Sequence, residues 1–310
     1  MRDSFYKMKS LRLFIQLSRP IFILSAVLVY LLGIGIAHYL SGVINWTSFF
    51  LGLVWIVFSL LGTQYLNEYF EPTVMQNDPT WKHTPFSGGS GAIGAGKLPR
   101  QVALWAGLTC LTITASLTVL LIQKLGINVV GILILGLIFL GEFLYATPPF
   151  RLVSSGYGEL VLSIIVIGMI PALAFLLQGH DFHRLLVMVA FPLTTLHIGM
   201  LLALEFPDYA SDIKQGKRPA IIRIGWQRGM IIHNILILVS FVILGMAFVF
   251  GLPLSVGWPV IFVLPIGLFQ IWMMNRIADG AKPNWNLLVL VAISTFGLTT
   301  YLLTFAFWTH

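Results

Sequence analysis

Two short acidic runs carry residue types from which metal-assisted chemistry can be built. The first is Asn67-Glu68-Tyr69-Phe70-Glu71, with Asp78 a little further on; the second is Glu205-Phe206-Pro207-Asp208, with Asp212 one turn later. Asn67 and Glu71 are four residues apart, as are Asp208 and Asp212, so on a helix each pair projects from one face. Oxygen donors of this kind suit Mg2+, a hard cation usually held by one or two carboxylates together with phosphate oxygens and water. Cations stand close by. The second run leads through Lys214 to Lys217 and Arg218, and the first is followed by Ser87-Gly88-Gly89-Ser90-Gly91, Lys97 and Arg100. Lys, Arg and the amides of a Gly-rich segment bind diphosphate directly, whereas carboxylates repel it unless a metal lies between. Having both kinds of group predicts a metal–diphosphate complex rather than a bare cation site.

One acidic loop alone would read as solvated surface charge. Two matched loops carry more weight here, because only 9% of the 310 residues are charged and 58% are hydrophobic. A soluble domain has about 25% charged residues. The apolar residues also fall in runs of about 20, the length that crosses the hydrocarbon core as helix. No ten-residue segments alternate with period two, so a barrel is not indicated and the fold class is an all-α, polytopic membrane bundle. Nine spans are expected, at 20–40, 47–66, 101–122, 127–145, 158–178, 186–204, 229–250, 258–275 and 286–308. They form a single domain over 1–310, with the polar stretch 67–100 as a loop. Both acidic runs then sit at the end of an even-numbered span. Their starts, Asn67 and Glu205, are 138 residues apart and four spans separate them, which suggests a repeated four-helix unit.

The basic residues test this layout independently. Sixteen of the 18 Lys and Arg fall on the side that bears the acidic runs, leaving Lys124 and Arg184 opposite. By the positive-inside rule that side is cytoplasmic, with the N-terminus inside and the C-terminus outside. The net charge of +7 is then a basic face on an anionic leaflet, and no nucleic acid is implied. No protein partner is indicated. Residues 1–19 are polar and basic and run into a full-length span, so no cleavable signal peptide is expected. The one cysteine, Cys110, lies in an apolar run and reads as a small buried hydrophobe.

At the acidic runs the sequence resembles the UbiA superfamily of prenyltransferases. Asn67-Glu68-Tyr69-Phe70-Glu71 resembles that family's Asn-Asp-x-x-Asp motif. Asp208-Tyr-Ala-Ser-Asp212, with Gly216-Lys217 and the trailing Arg223-Ile-Gly225, resembles its Asp-x-x-x-Asp motif. Tyr145-Ala-Thr-Pro-Pro-Phe-Arg151, then Gly158-Glu159, is similar to the loop after the fourth helix, and Arg19-Pro20 to the start of the first. There are departures. Glu68 and Glu71 stand where Asp is usual, Glu205 where Asn is common, and Met75 where a third carboxylate often lies, with Asp78 or Asn77 as its replacement.

The resemblance implies transfer of a prenyl chain from an isoprenyl diphosphate to an acceptor, often aromatic, in the lipid bilayer of a prokaryotic cytoplasmic membrane. It implies Mg2+ held by Asn67, Glu71, Asp208 and Asp212, with Asp78 a further candidate. Arg19, Lys97, Arg151 and Lys217 would neutralise the diphosphate, and Glu68, Tyr145 and Tyr209 would lie beside the substrate. Loss of diphosphate leaves an allylic cation, which aromatic faces stabilise by about 0.5–2 kcal/mol each; Tyr69 and Phe70 are further candidates. Most Tyr and Trp near span ends serve simply as interfacial anchors. The Asn-Glu-Tyr-Phe-Glu run looks most like menaquinone-pathway members that act on 1,4-dihydroxy-2-naphthoate. 4-Hydroxybenzoate, homogentisate, a haem and a lipid-like alcohol remain alternatives. Glu142, inside the fourth span, is either an acid–base group for the acceptor or an interhelical hydrogen-bonding group. His197 reads as an interhelical polar group, and His180 and His183 as surface residues. A transporter is the competing class, although transporter sites usually lie at the bilayer midplane. A member of the family acting only in binding or assembly is the third.

Overall fold

The computed structural model describes residues 2–71, 89–214 and 216–310, with side chains from Ser10 onward. Asp78, Asn77, Met75, Lys82, Ser87 and Gly88 lie outside the described residues. A basic helix, α1 (Arg2–Leu17), precedes nine helices long and apolar enough to cross a membrane among the described residues. These are α2 (Pro20–Ser41), α3 (Trp46–Phe70), α4 (Arg100–Leu125), α5 (Val129–Ala146), α6 (Gly158–Leu176), α7 (Arg184–Lys214), α8 (Trp226–Val249), α9 (Leu254–Ala278) and α10 (Trp285–Thr309). The nine-span expectation is met.

Two helices run past the ends that hydropathy suggests at the end of the bundle that bears the acidic runs. α3 runs on through Asn67 to Phe70, and α7 continues as a 3-10 turn at Phe206–Asp208 and a further turn of helix to Lys214. Polar side chains end an apolar run without ending the helix, because the backbone bonds are internal to the helix. The second acidic run is helical through Asp212, whereas in the first the helix stops at Phe70 and Glu71 follows it in extended backbone. At the opposite ends, asparagine side chains cap the backbone: Asn45 Oδ1 accepts from Ser48 N (3.1 Å) and Asn128 Oδ1 from Gly131 N (2.9 Å).

The most extensive pairings are α3 with α4 and α7 with α8, and α2 packs on α6 and α10. Where α2 crosses α6 the backbones touch: a Cβ on Gly33 would meet the Pro171 carbonyl oxygen at 2.2 Å. Pro171 has no N–H to donate, and the turn before it, Ile164–Met169, widens to a π-helix. Polar groups inside the bundle find partners on neighbouring helices. Tyr30 Oη donates to Phe49 O (2.9 Å), Trp55 Nε1 to Thr118 Oγ1 (2.7 Å) and Trp308 Nε1 to Leu31 O (2.9 Å). Such bonds hold helices together where lipid removes the hydrophobic incentive to associate. Alternate connections bring Arg19, the end of α3, the start of α4, the α5–α6 turn and the end of α7 to one end of the bundle.

Candidate active site

The end of α3 presents three acidic or amide side chains with different partners. Glu68 is turned inward and 2% exposed. It accepts from Arg19 Nη2 at 2.7 Å and Nε at 3.1 Å, and also from Ser90 N at 2.5 Å and Ser90 Oγ at 2.8 Å. Its carboxylate thus ties the start of α2 to the Gly-rich segment that follows α3. Glu71 is gripped by two cations, Arg151 Nη2 at 2.9 Å and Lys217 Nζ. Asn67 is different: its Oδ1 is buried and has no hydrogen-bond partner among the described residues.

Arg19 and Arg151 hold the backbone in the left-handed region, with φ of 46° and 42°, and are the only non-glycine residues to do so among those described. That conformation costs about 1–3 kcal/mol and persists only where the surroundings enforce it. Here each guanidinium is anchored to an acid, Arg19 to Glu68 in the last turn of α3 and Arg151 to Glu71 just beyond it. Asp208 and Asp212, 7% and 8% exposed, come from the end of α7. Behind them, Phe206 and Tyr209 pack on Trp226 (both 5.1 Å between ring centroids) and Phe206 stacks on Trp285 (6.2 Å). This aromatic block on α8 and α10 fixes the turn that carries the two aspartates.

These groups surround one cavity of about 160 Å³. Asn67, Glu71, Asp208 and Asp212 line it, together with Arg19, Lys217, Gly89 and Tyr145, and so do Glu159 and Glu205. A second cavity of about 180 Å³, almost wholly apolar, adjoins it and shares Phe22, Gln64, Leu162 and Leu204. Its remaining wall comes from α2, α3, α6, α7 and α10, including Leu28, Leu60, Val166, Met200 and Phe296. Ile21 and Leu24, on the same wall, face outward from the bundle at 45% and 68% exposure.

The donor set fits a hard divalent cation. Asn67 Oδ1 is an orphaned buried acceptor, and Asp208 and Asp212 face the same space from another helix. Among the described residues no three His, Cys, Asp or Glu form a closed metal cage. Mg2+ seldom uses one; it keeps waters and phosphate oxygens alongside one or two carboxylates.

Of the residues singled out in the sequence, Arg19, Asn67, Glu71, Tyr145, Asp208, Asp212 and Lys217 are brought to the cavity, and Arg151 reaches it through Glu71. Glu68 is engaged in holding Arg19 and Ser90. Lys97 is exposed and donates to Gly91 O (2.7 Å), so it braces the Gly-rich turn instead of entering the cavity. Tyr209 is likewise outside, since its ring belongs to the aromatic block. Tyr69 lies under Arg100, with the guanidinium carbon 4.8 Å from the ring centroid. Glu142 accepts from Ser59 and from Thr63 (3.4 Å), clasping α5 to α3. His197 bonds Ser163 Oγ through Nδ1 (2.7 Å) and lines the apolar chamber. Glu159, Glu205 and Gln64 complete the cavity without having been singled out as site residues. The signal for Glu205 was its place one turn before Asp208.

A polar cavity that shares a wall with an apolar chamber, at one end of a membrane bundle, is the build of an integral membrane enzyme for an amphiphilic substrate. Residues 26–293 match the family model described as the UbiA prenyltransferase family, and the chain belongs to that family and is a prenyltransferase. The fold agrees. A UbiA homologue from Archaeoglobus fulgidus bound to GPP and Mg2+ superposes with a TM-score of 0.68 at 16% identity, covering 96% of this chain and 100% of that one. A digeranylgeranylglyceryl phosphate synthase gives 0.64 at 14% identity over 96% and 97% of the two chains. The A. fulgidus homologue bound to DMAPP and Mg2+ gives 0.64 at 16% identity over 93% and 98%. Comparison with curated protein sequences gave no match.

Proposed function

We propose that this prenyltransferase moves the chain of an isoprenyl diphosphate onto an aromatic acceptor, 1,4-dihydroxy-2-naphthoate, as a step toward menaquinone, and that it needs Mg2+ to do so. The observation that carries the diphosphate half is the meeting of Asn67, Asp208 and Asp212 with Arg19 and Lys217 in one cavity that shares a wall with an apolar chamber. The similar A. fulgidus structures, bound to GPP or DMAPP with Mg2+, support the same assignment. The naphthoate rests on the Asn-Glu-Tyr-Phe-Glu resemblance. The chain acts as one transmembrane unit, with the site end on the cytoplasmic side where the basic residues concentrate.

Bound Mg2+ would neutralise diphosphate charge and make it a better leaving group. Asn67, Asp208 and Asp212 would hold the ion, with Glu71 joining them as its cations turn to phosphate. Arg19, Arg151 and Lys217 would bind the phosphate oxygens. Phe22, Leu162 and Leu204 form the neck of the chamber, receive the isoprenyl tail and keep water from the allylic carbon. Tyr145 offers its ring to the positive charge that develops there.

The test incubates detergent-purified protein with Mg2+, geranylgeranyl diphosphate and the naphthoate, 4-hydroxybenzoate and homogentisate in parallel. A prenylated naphthoate that vanishes with EDTA and with Asp208→Ala is expected. Product from another acceptor alone would replace the naphthoate, and diphosphate release from none of several chain lengths would overturn the reading.

A further inference from the structure

Two carboxyls in the cavity have no task in diphosphate binding. Glu159 opens α6, and Glu205 lies one turn before Asp208 on α7; both line the cavity. Both carboxyls face the same space and lie near enough for each to act on the other. Glu205 Oε2 accepts the Ile221 amide at 3.0 Å, which fixes its direction. Glu159 is 8% exposed, and its Oε2 is buried with no hydrogen-bond partner found for it among the described residues. Arg19 and Arg151 are engaged by Glu68 and Glu71. Acids this near each other disfavour another anion beside them. A buried oxygen without a donor costs about 1–3 kcal/mol, and an O–H brought by a ligand would remove that cost.

Position narrows the ligand further. Because α7 approaches the site end from within the bundle, Glu205 lies one turn deeper than Asp208. On α6, Leu162 follows Glu159 by one turn and belongs to both the polar cavity and the apolar chamber. The acid pair therefore sits at the level where head binding gives way to tail binding. In the function proposed above, on which this inference rests, that is where the reacting carbon of the prenyl chain lies and where the acceptor must meet it.

We infer that Glu159 and Glu205 form the acceptor-recognition site, in which Glu159 Oε2 takes a ring hydroxyl of the acceptor as hydrogen-bond donor and Glu205 holds Glu159 in place. The site selects a ring with a free hydroxyl over its methyl ether. Glu159 is then a binding residue and Glu205 a positioning residue.

Equilibrium binding to full-length protein tests this without turnover. Two ligands are measured: geranylgeranyl thiodiphosphate with Mg2+, and then 1,4-dihydroxy-2-naphthoate or its dimethyl ether on the loaded protein. Glu159→Leu should weaken the dihydroxy compound by about 10-fold or more, the scale of a hydrogen bond to a charged group. Glu159→Gln should fall between, and Glu205→Gln should resemble it. All three variants should keep the thiodiphosphate affinity of the wild type, which also reports that they fold. The dimethyl ether should bind weakly to every form alike. Unchanged dihydroxynaphthoate binding in Glu159→Leu, equal wild-type affinity for the ether, or no wild-type binding of either ring would overturn the inference. Absent thiodiphosphate binding by the wild type would instead strike the parent reading.

Discussion

Arg151 Nη2 donates to Glu71 Oε2 at 2.9 Å, and this bond joins the turn after α5 to the first residue beyond α3. Lys217, from the segment after α7, reaches the same carboxylate. Three separate parts of the chain thus converge on one acid.

Breaking that convergence should separate structure from chemistry. Removing one partner of a largely buried ion pair costs about 3–5 kcal/mol. Arg151→Ala is expected to lower the thermal midpoint in detergent and to raise KM for the prenyl diphosphate. Arg151→Lys, which keeps a cation beside Glu71 without the planar fork, should recover part of the stability and little of the activity. Full activity in Arg151→Ala would show that Arg151 does not meet substrate.

Glu68 makes a different prediction, because both of its oxygens serve Arg19 and Ser90. Glu68→Ala should release the segment around Gly89–Gly96, read as faster cleavage there in limited proteolysis. The prenyl diphosphate KM should rise about 10-fold, the scale of a lost hydrogen bond to a charged group. An unchanged digestion pattern would remove the clasp from this account.

Asn67 should show a trade between stability and ligand binding. Its Oδ1 has no partner among the described residues and a buried acceptor without a donor costs about 1–3 kcal/mol, so Asn67→Leu should leave the metal-free protein at least as stable as the wild type. The same variant should lose the extra thermal stabilisation that Mg2+ and a diphosphate analogue give the wild type. Asp208→Asn and Asp212→Asn should lose it too, and kcat should fall by at least about 10²-fold, as when a preorganised charge-stabilising group is removed. Retained metal-dependent stabilisation in all three would place the ion elsewhere.

The apolar chamber predicts chain-length selection. Met200→Trp and Gly297→Trp both intrude on its walls and should favour short isoprenyl diphosphates. Steady-state KM values for ten-, fifteen- and twenty-carbon substrates check this. A uniform change across all three lengths would mean that the tail lies outside the chamber.

Much of this was legible in the sequence, for identifiable reasons. Apolar runs and the one-sided Lys and Arg define nine spans because lipid permits so few solutions. The i, i+4 spacing placed Asp208 with Asp212 because helical geometry leaves little freedom, whereas Glu71 meets the cavity with Asn67 from extended backbone just past the helix. Helix ends were less readable: hydropathy stops at Leu66 and Leu204, whereas the backbone ladder does not. Lys97 and Tyr209 show a second limit, since adjacency along the chain does not say which way a side chain turns. Lys97 bends back to Gly91 and Tyr209 turns to Trp226. Glu159 was visible only as part of a loop motif, and its nearness to Glu205, 46 positions later, depends on how α6 meets α7.

The neck shared by the two cavities has a kinetic consequence. Ile21 and Leu24 belong to the chamber wall and also face outward, so a tail bound as proposed would enter along the bilayer rather than through water. Encounters then take place in two dimensions. The concentration that governs turnover is the mole fraction of prenyl diphosphate among the lipids. Adding inert lipid at fixed bulk substrate should therefore slow the enzyme by surface dilution, and a detergent micelle, which holds only a few substrate molecules, should lower its rate by isolating it from replenishment.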